Sequence, residues 1–200
     1  MTAPTASRAI RRGPTTNPPG KRRGQNVIVP VATPVGILAL VETPKGRPLP
    51  ERPDFCLLLE GLQDPGNVGS VLRSAAAAGV DCVLLSSGCA DAWAPRCVRA
   101  AMGAHFMVNF HEHVDLGAFI ERFDGTTVAT AARATHSVFD VDLTGAVALL
   151  VGNEGSGLSE ELLALADIIA AVPMPGRAES LNAAAATAVC LFERVRQRWR

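Results

Sequence analysis

The 200-residue chain has no tyrosine, two tryptophans and seven phenylalanines, so aromatic residues make up only 4% of it. Its core must therefore rest on aliphatic packing, and hydrophobic residues reach 48%. No apolar stretch is long enough to cross a bilayer as a helix. Basic residues near the N-terminus are not followed by an apolar segment, so a secretory signal is not expected. The five cysteines, Cys56, Cys82, Cys89, Cys97 and Cys190, form no CxxC pair or other metal-ligand spacing. Free thiols in a reducing, cytoplasmic setting are expected, and no metal. The chain also lacks a GxGxxG fingerprint, a Walker A motif, a GxSxG elbow and any internal repeat.

Lysine plus arginine and aspartate plus glutamate number 19 each, but the charge is unevenly spread. Residues 1–26 hold Arg8, Arg11, Arg12, Lys21, Arg22 and Arg23 and no acid, which leaves thirteen cations against all nineteen acids in the remainder. A basic arm on an acidic body suits a polyanionic partner, and equally a solvated tail. Rich in Pro, Gly, Thr and Arg and without periodicity, residues 1–26 read as disordered. Residues 27–53, with β-branched runs broken by prolines, read as a linker.

From residue 54 onward the pattern becomes regular. Apolar runs predict strands at 55–60, 82–86, 106–110, 126–131, 147–151 and 168–172, and helices near 67–78, 95–102, 114–122, 159–165 and 181–197. Strands that alternate with helices predict an α/β fold, a mostly parallel sheet covered on both faces. "VALLVG" (147–152) is the continuous apolar run that a central parallel strand needs.

Three stretches stand where such a sheet places ligands, after strand ends. The first is "DPGNVGSVLRSAAAAG" (64–79), in which Asn67 caps or begins a helix that also carries Arg73, while Gly66 and Gly69 allow close backbone approach. The second is "LLVGNEGSGLS" (149–159), a glycine loop opening at Gly152 and carrying Glu154, an acid that suits a cationic or hydroxyl-rich ligand better than a phosphate. The third is "VPMPGRAESLNAAAATAVCLFE" (172–193), in which Ser180 is a good cap and Asn182 falls in the first helical turn. Weaker features are the His111/His113 pair, with no third ligand apparent, Trp93, which suits loop packing or base stacking, and the basic helix end Arg194, Arg196, Arg198 and Arg200.

In this order the three stretches resemble the motifs of the SpoU-type (TrmH family) RNA 2′-O-ribose methyltransferases of the SPOUT class, over roughly residues 31–197. The resemblance implies a C-terminal trefoil knot, which general topology rules disfavour and periodicity cannot reveal. It also implies a homodimer, an RNA substrate (tRNA or rRNA) and S-adenosylmethionine as cofactor. Residue by residue it implies catalytic roles for Asn67, Arg73, Glu154, Ser180 and Asn182, and cofactor contacts at Thr130, Gly152, Val172, Met174 and Leu181. An arginine stays protonated at any working pH, so a phosphate clamp suits Arg73 better than a literal base. Two departures stand out. Four alanines, Ala183 to Ala186, replace the usual Val/Ser alternation, and only the basic arm precedes the linker where many relatives carry an RNA-binding domain. A non-catalytic SAM- and RNA-binding dimer, or a nucleotide-dependent α/β enzyme, are the alternatives.

Overall fold

The computed structural model describes residues 42–44 and 46–199; the basic arm, most of the linker and Arg200 lie outside the described residues. Among the described residues, seven strands form one sheet: β1 (Phe55–Leu59), β2 (Cys82–Leu85), β3 (Phe110–His111), β4 (Thr126–Thr130), β5 (His136–Ser137), β6 (Val147–Val151) and β7 (Ile168–Ala171). Their order is β3-β2-β1-β6-β4-β7-β5 and every pairing is parallel. The helices are α1 (Pro65–Ala78), α2 (Pro95–Ala101), α3 (Leu116–Ile120), α4 (Glu160–Leu165) and α5 (Ala183–Arg198).

The apolar runs form the centre because a parallel strand there is covered on both faces. Every residue of β1, β2 and β6 is buried. Alternation then divides the core. Leu57, Leu59, Val83, Leu85 and Leu149 pack with Val68, Leu72, Cys97 and Leu191, so α1, α2 and α5 cover one face. Cys56, Leu58, Cys82, Leu84 and Leu150 pack with Leu116, Phe119 and Leu162, so α3 and α4 cover the other. All five cysteines are free thiols. Burial pushes the Cys97 and Cys190 thiols up to about 12.

Some boundaries differ from the sequence expectation. The strand expected at 106–110 is a 3-10 turn at Ala104–Phe106 followed by a two-residue strand, because the turn runs into the expected segment and Met107 keeps helical backbone angles (φ −104°, ψ −39°). The helix expected at 114–122 is the shorter α3, capped by Asp115. Strand β5 was not expected at all; at two residues it has no pattern to detect.

The C-terminal arginines hold the last helix to the base of the sheet. Arg194, 6% exposed, lies over the Phe55 ring (4.1 Å) and donates to the Asp54 carbonyl, the Asp54 carboxylate and the Gly145 carbonyl. Arg198 pairs with the same carboxylate, and Arg196 pairs with buried Glu193. Burial favours the neutral form of Asp54, but hydrogen bonds from Arg194 and Arg198 outweigh it and hold the carboxyl below its ordinary value. Arg194→Ala strips partners from two carbonyls and removes packing on Phe55, so urea unfolding is expected to show a loss of about 2–3 kcal/mol. A loss below about 0.5 kcal/mol, the range of ordinary surface changes, would show the anchor to be dispensable.

Candidate functional site

The three loops that carry the motif residues meet beyond the C-terminal ends of β1, β6 and β7. After β1 the chain turns into α1, and the cap is Asp64, not Asn67. Its Oδ1 accepts from the Gly66 and Asn67 backbone N–H groups (2.6 and 3.1 Å), and Pro65 supplies the fixed φ that suits a first helical position. Asn67 is thereby freed for longer reach. Its Nδ2 donates to Glu154 Oε1 at 3.0 Å, and its Oδ1 accepts from Asn182 Nδ2 at 3.0 Å. Asn182, not Ser180, caps α5; its Oδ1 accepts from Ala184 and Ala185 N–H. One carboxamide thus joins residues 87 and 115 positions away in the chain.

Glu154 also receives the Gln63 and Asp64 N–H groups at 3.4 Å each. Partial burial would raise its pKa, but the hydrogen bonds from Asn67 and from backbone N–H groups outweigh that and set the carboxyl below its ordinary value. At neutral pH Glu154 is therefore an ionised acceptor and not a proton donor. Each carboxamide nitrogen carries two N–H groups, and the Asn67–Glu154–Asn182 cluster uses one from each. One donor on Asn67 and one on Asn182 remain for an oxygen-rich ligand.

The glycine loop after β6 is held by a residue that motif reading left out. Asn153 Nδ2 donates to the Gly61 carbonyl at 2.7 Å, while its Oδ1 accepts from Gly155 and Ser156 N–H at 2.8 and 3.1 Å. Asparagine's habit of hydrogen bonding its own backbone two residues on was the available signal. Reciprocal backbone bonds between Asn153 and Gly157 close the loop, with Gly157 at φ 74°. Gly152 lies under that closure: a Cβ there would stand 2.2 Å from Gly157 C and Leu158 N. At Gly152 the close approach is made by the chain's own backbone.

Beside the cluster is a cavity of about 580 Å³. Thr130, Gly152, Val172, Met174 and Leu181 line it, as do Glu154, Ser180 and Asn182. The Thr130 hydroxyl donates to the Leu150 carbonyl and so is committed to the sheet. Ala183 and Ala186 of the four-alanine run also face the cavity. Its size falls within the range of small-molecule clefts, about 300–1,000 Å³, and it combines backbone, apolar and a few polar groups as such clefts do. Among the described residues no group of His, Cys, Asp and Glu is placed to hold a metal. Trp93 packs against His105 and Phe110, with centroids 4.8 and 5.7 Å away.

Arg73 does not join the cluster. It is exposed on α1 and has no hydrogen-bond or ion-pair partner among the described residues. Six residues on an α-helix leave it about 120° around the axis from Asn67 and about 9 Å along it. Asn67 turns toward α5, whereas Arg73 faces outward.

A family model described as the SpoU rRNA Methylase family matches residues 54–192. The 23S rRNA (guanosine(2553)-2′-O)-methyltransferase RlmP of Bacillus subtilis is 35% identical over 170 residues, which are 84% of this chain and 67% of that protein. The SpoU methyltransferase AviRb of Streptomyces viridochromogenes, in complex with the cofactor AdoMet, matches with a TM-score of 0.70 at 35% identity, over 76% of this chain and 63% of that one. A structure described as giving insight into 2-OH methylation of C/U34 on tRNA matches with a TM-score of 0.66 at 32% identity, over 73% of this chain and 91% of that one. Across eight curated relatives this chain spans 53% to 72% of the relative's length.

Proposed function

The chain belongs to the SpoU rRNA Methylase family, and from that premise we propose that it transfers a methyl group from S-adenosylmethionine to a ribose 2′-hydroxyl of RNA. The observation that carries the reading is the Asn67–Glu154–Asn182 cluster at the edge of the 580 Å³ cavity. The cofactor fits this cavity by its chemistry. Loop backbone between Gly152 and Leu158 offers hydrogen-bonding groups, Val172, Met174 and Leu181 offer apolar cover for a flat base, and Glu154 offers negative charge to a sulfonium. When bound, S-adenosylmethionine supplies an electrophilic methyl group.

The remaining work belongs to the protein. Glu154, ionised, fixes Asn67 and with it the start of α1. The free amide donors of Asn67 and Asn182 are suited to orient ribose oxygens, and Ser180 stands on the same rim. Arg73 would grip a phosphate next to the target ribose and stabilise the forming alkoxide, as a bidentate donor can. Alignment and exclusion of water account for most of what a methyl transfer to a poor nucleophile needs.

The proposal includes the trefoil knot and a homodimer in the cytoplasm. For the knot, support comes from the 152–158 loop and the segment that leads into α5, which line one cavity. For the dimer, support comes from the outer face of α5, where Ala185, Val189 and Phe192 recur at helical spacing with Phe192 47% exposed, and from Trp199 just past the helix end, 82% exposed. A partner copy is also what would bring an outward-facing Arg73 to a cofactor site. The relatives named above are described for 23S rRNA and for tRNA, so the substrate class proposed is RNA ribose. Incubation with methyl-labelled S-adenosylmethionine and total bacterial RNA is expected to label the RNA. Binding of both without transfer would mark a non-catalytic binder and refute the proposal.

A further inference from the structure

Helices α1 and α2 carry three arginines, Arg73, Arg96 and Arg99, and no aspartate or glutamate. This stands out in a body, residues 27–200, whose acids outnumber its cations nineteen to thirteen. The helices cross at Gly69, where a Cβ would lie 2.3 Å from the Cys97 carbonyl oxygen. That crossing sets the first turn of α2 beside the first turn of α1. The Arg96 guanidinium lies 3.5 Å from where a Cβ on Gly66 would stand and pairs with Asp64 Oδ2 at 3.0 Å.

Arg96 is therefore held one residue from Asn67 by the same carboxylate that caps α1. It stays 64% exposed while paired, so most of its five N–H donors remain open. Arg99 is exposed and has no partner among the described residues. The acids nearby in sequence are engaged: Asp91 accepts from Trp93 N–H and Glu112 from Ala92 N–H. Residues three apart on a helix have Cβ atoms about 5–6 Å apart, which suits adjacent phosphates of one strand.

The geometry points to a phosphodiester track on α2, in which Arg96 and Arg99 take successive RNA phosphates beside the start of α1 that carries Asn67. Guanidinium groups bind phosphate bidentately and lose little on leaving an exposed ion pair, so Arg96 can exchange Asp64 for RNA at small cost. The inference rests on the reading that the chain acts on RNA.

The test uses the full chain and a labelled oligouridylate of about 20 nucleotides, with binding followed as KCl is raised; each single-strand phosphate contact contributes about 0.7 to the log–log salt slope. Arg96→Gln/Arg99→Gln is expected to reduce that slope by about 1.4. Its melting temperature should fall by no more than a few degrees, and its S-adenosylmethionine affinity should match wild type. If wild type binds and methylates RNA while the double variant keeps the full slope, the track is refuted and the functional reading stands. A lower melting temperature with an unchanged slope refutes the track equally, since Arg96 would then serve only the ion pair to Asp64. If wild type binds no RNA, both fail.

Discussion

Gly152→Ala is expected to weaken S-adenosylmethionine binding by roughly 10- to 100-fold and to lower the melting temperature by several degrees. The added methyl would lie 2.2 Å from the Gly157 and Leu158 backbone, distances no rotamer change can relieve. The loop from Gly152 to Leu158, which lines the cavity, must move. Overpacking of this kind costs about 1–3 kcal/mol, and each 1.4 kcal/mol placed on binding is tenfold. The cost is shared between strain in the folded chain and a displaced loop, so both readouts should respond. Gly155→Ala is the internal control, because a methyl there meets only Asn153 Oδ1 at 3.5 Å. Calorimetric titration and thermal melting of the two variants separate the cases. Equal cofactor affinity in Gly152→Ala and wild type would remove the loop from the cofactor site.

Arg73→Ala is expected to lower methyl transfer by about 10²–10³-fold, the usual worth of a charge-stabilising donor. Cofactor affinity should be unchanged, because Arg73 does not line the cavity of its own subunit and its assigned contact is an RNA phosphate. Stability should stay within about 0.5 kcal/mol, as for surface residues without partners. Single-turnover rates at saturating RNA, set beside a calorimetric dissociation constant, make the comparison. Parallel loss of binding and rate would contradict the role assigned to this arginine.

Much of this fold is written in burial. Strands β1, β2 and β6 are apolar at every position because each is covered on both sides, and such runs stand out in a chain this poor in aromatics. The alternation that sends Leu57 to one helical layer and Leu58 to the other follows from the pleat. What stayed hidden was local competition. Ser180, Leu181 and Asn182 all precede the alanine run, but only the side chain that reaches two free N–H groups becomes the cap, and Asn182 does so. Asp64 took the role assigned to Asn67 for the same reason. Most of the strand expected at 106–110 is lost because a 3-10 turn reaches Phe106 and Met107 keeps helical backbone angles, which leaves extended pairing to Phe110 and His111.

The candidate site was legible as three segments but not as a geometry. Spacing along a sequence gives no sign that Asn67 touches Glu154 and Asn182 across 87 and 115 residues. Nor does a motif separate residues with different directions, and Arg73 shares a helix with Asn67 yet faces away from it. No motif marks Asn153 beside Glu154, because its work is done on backbone, at Gly61, Gly155 and Ser156.

The most direct measurement is the position of the transferred methyl. Alkali cleaves RNA by attack of the 2′-oxygen on the neighbouring phosphate, so a methylated ribose leaves a resistant dinucleotide. After incubation with methyl-labelled S-adenosylmethionine and bacterial RNA, the label is expected in alkali-resistant dinucleotides with wild type and at background with Arg73→Ala. Label recovered in mononucleotides, on the bases, would contradict the account.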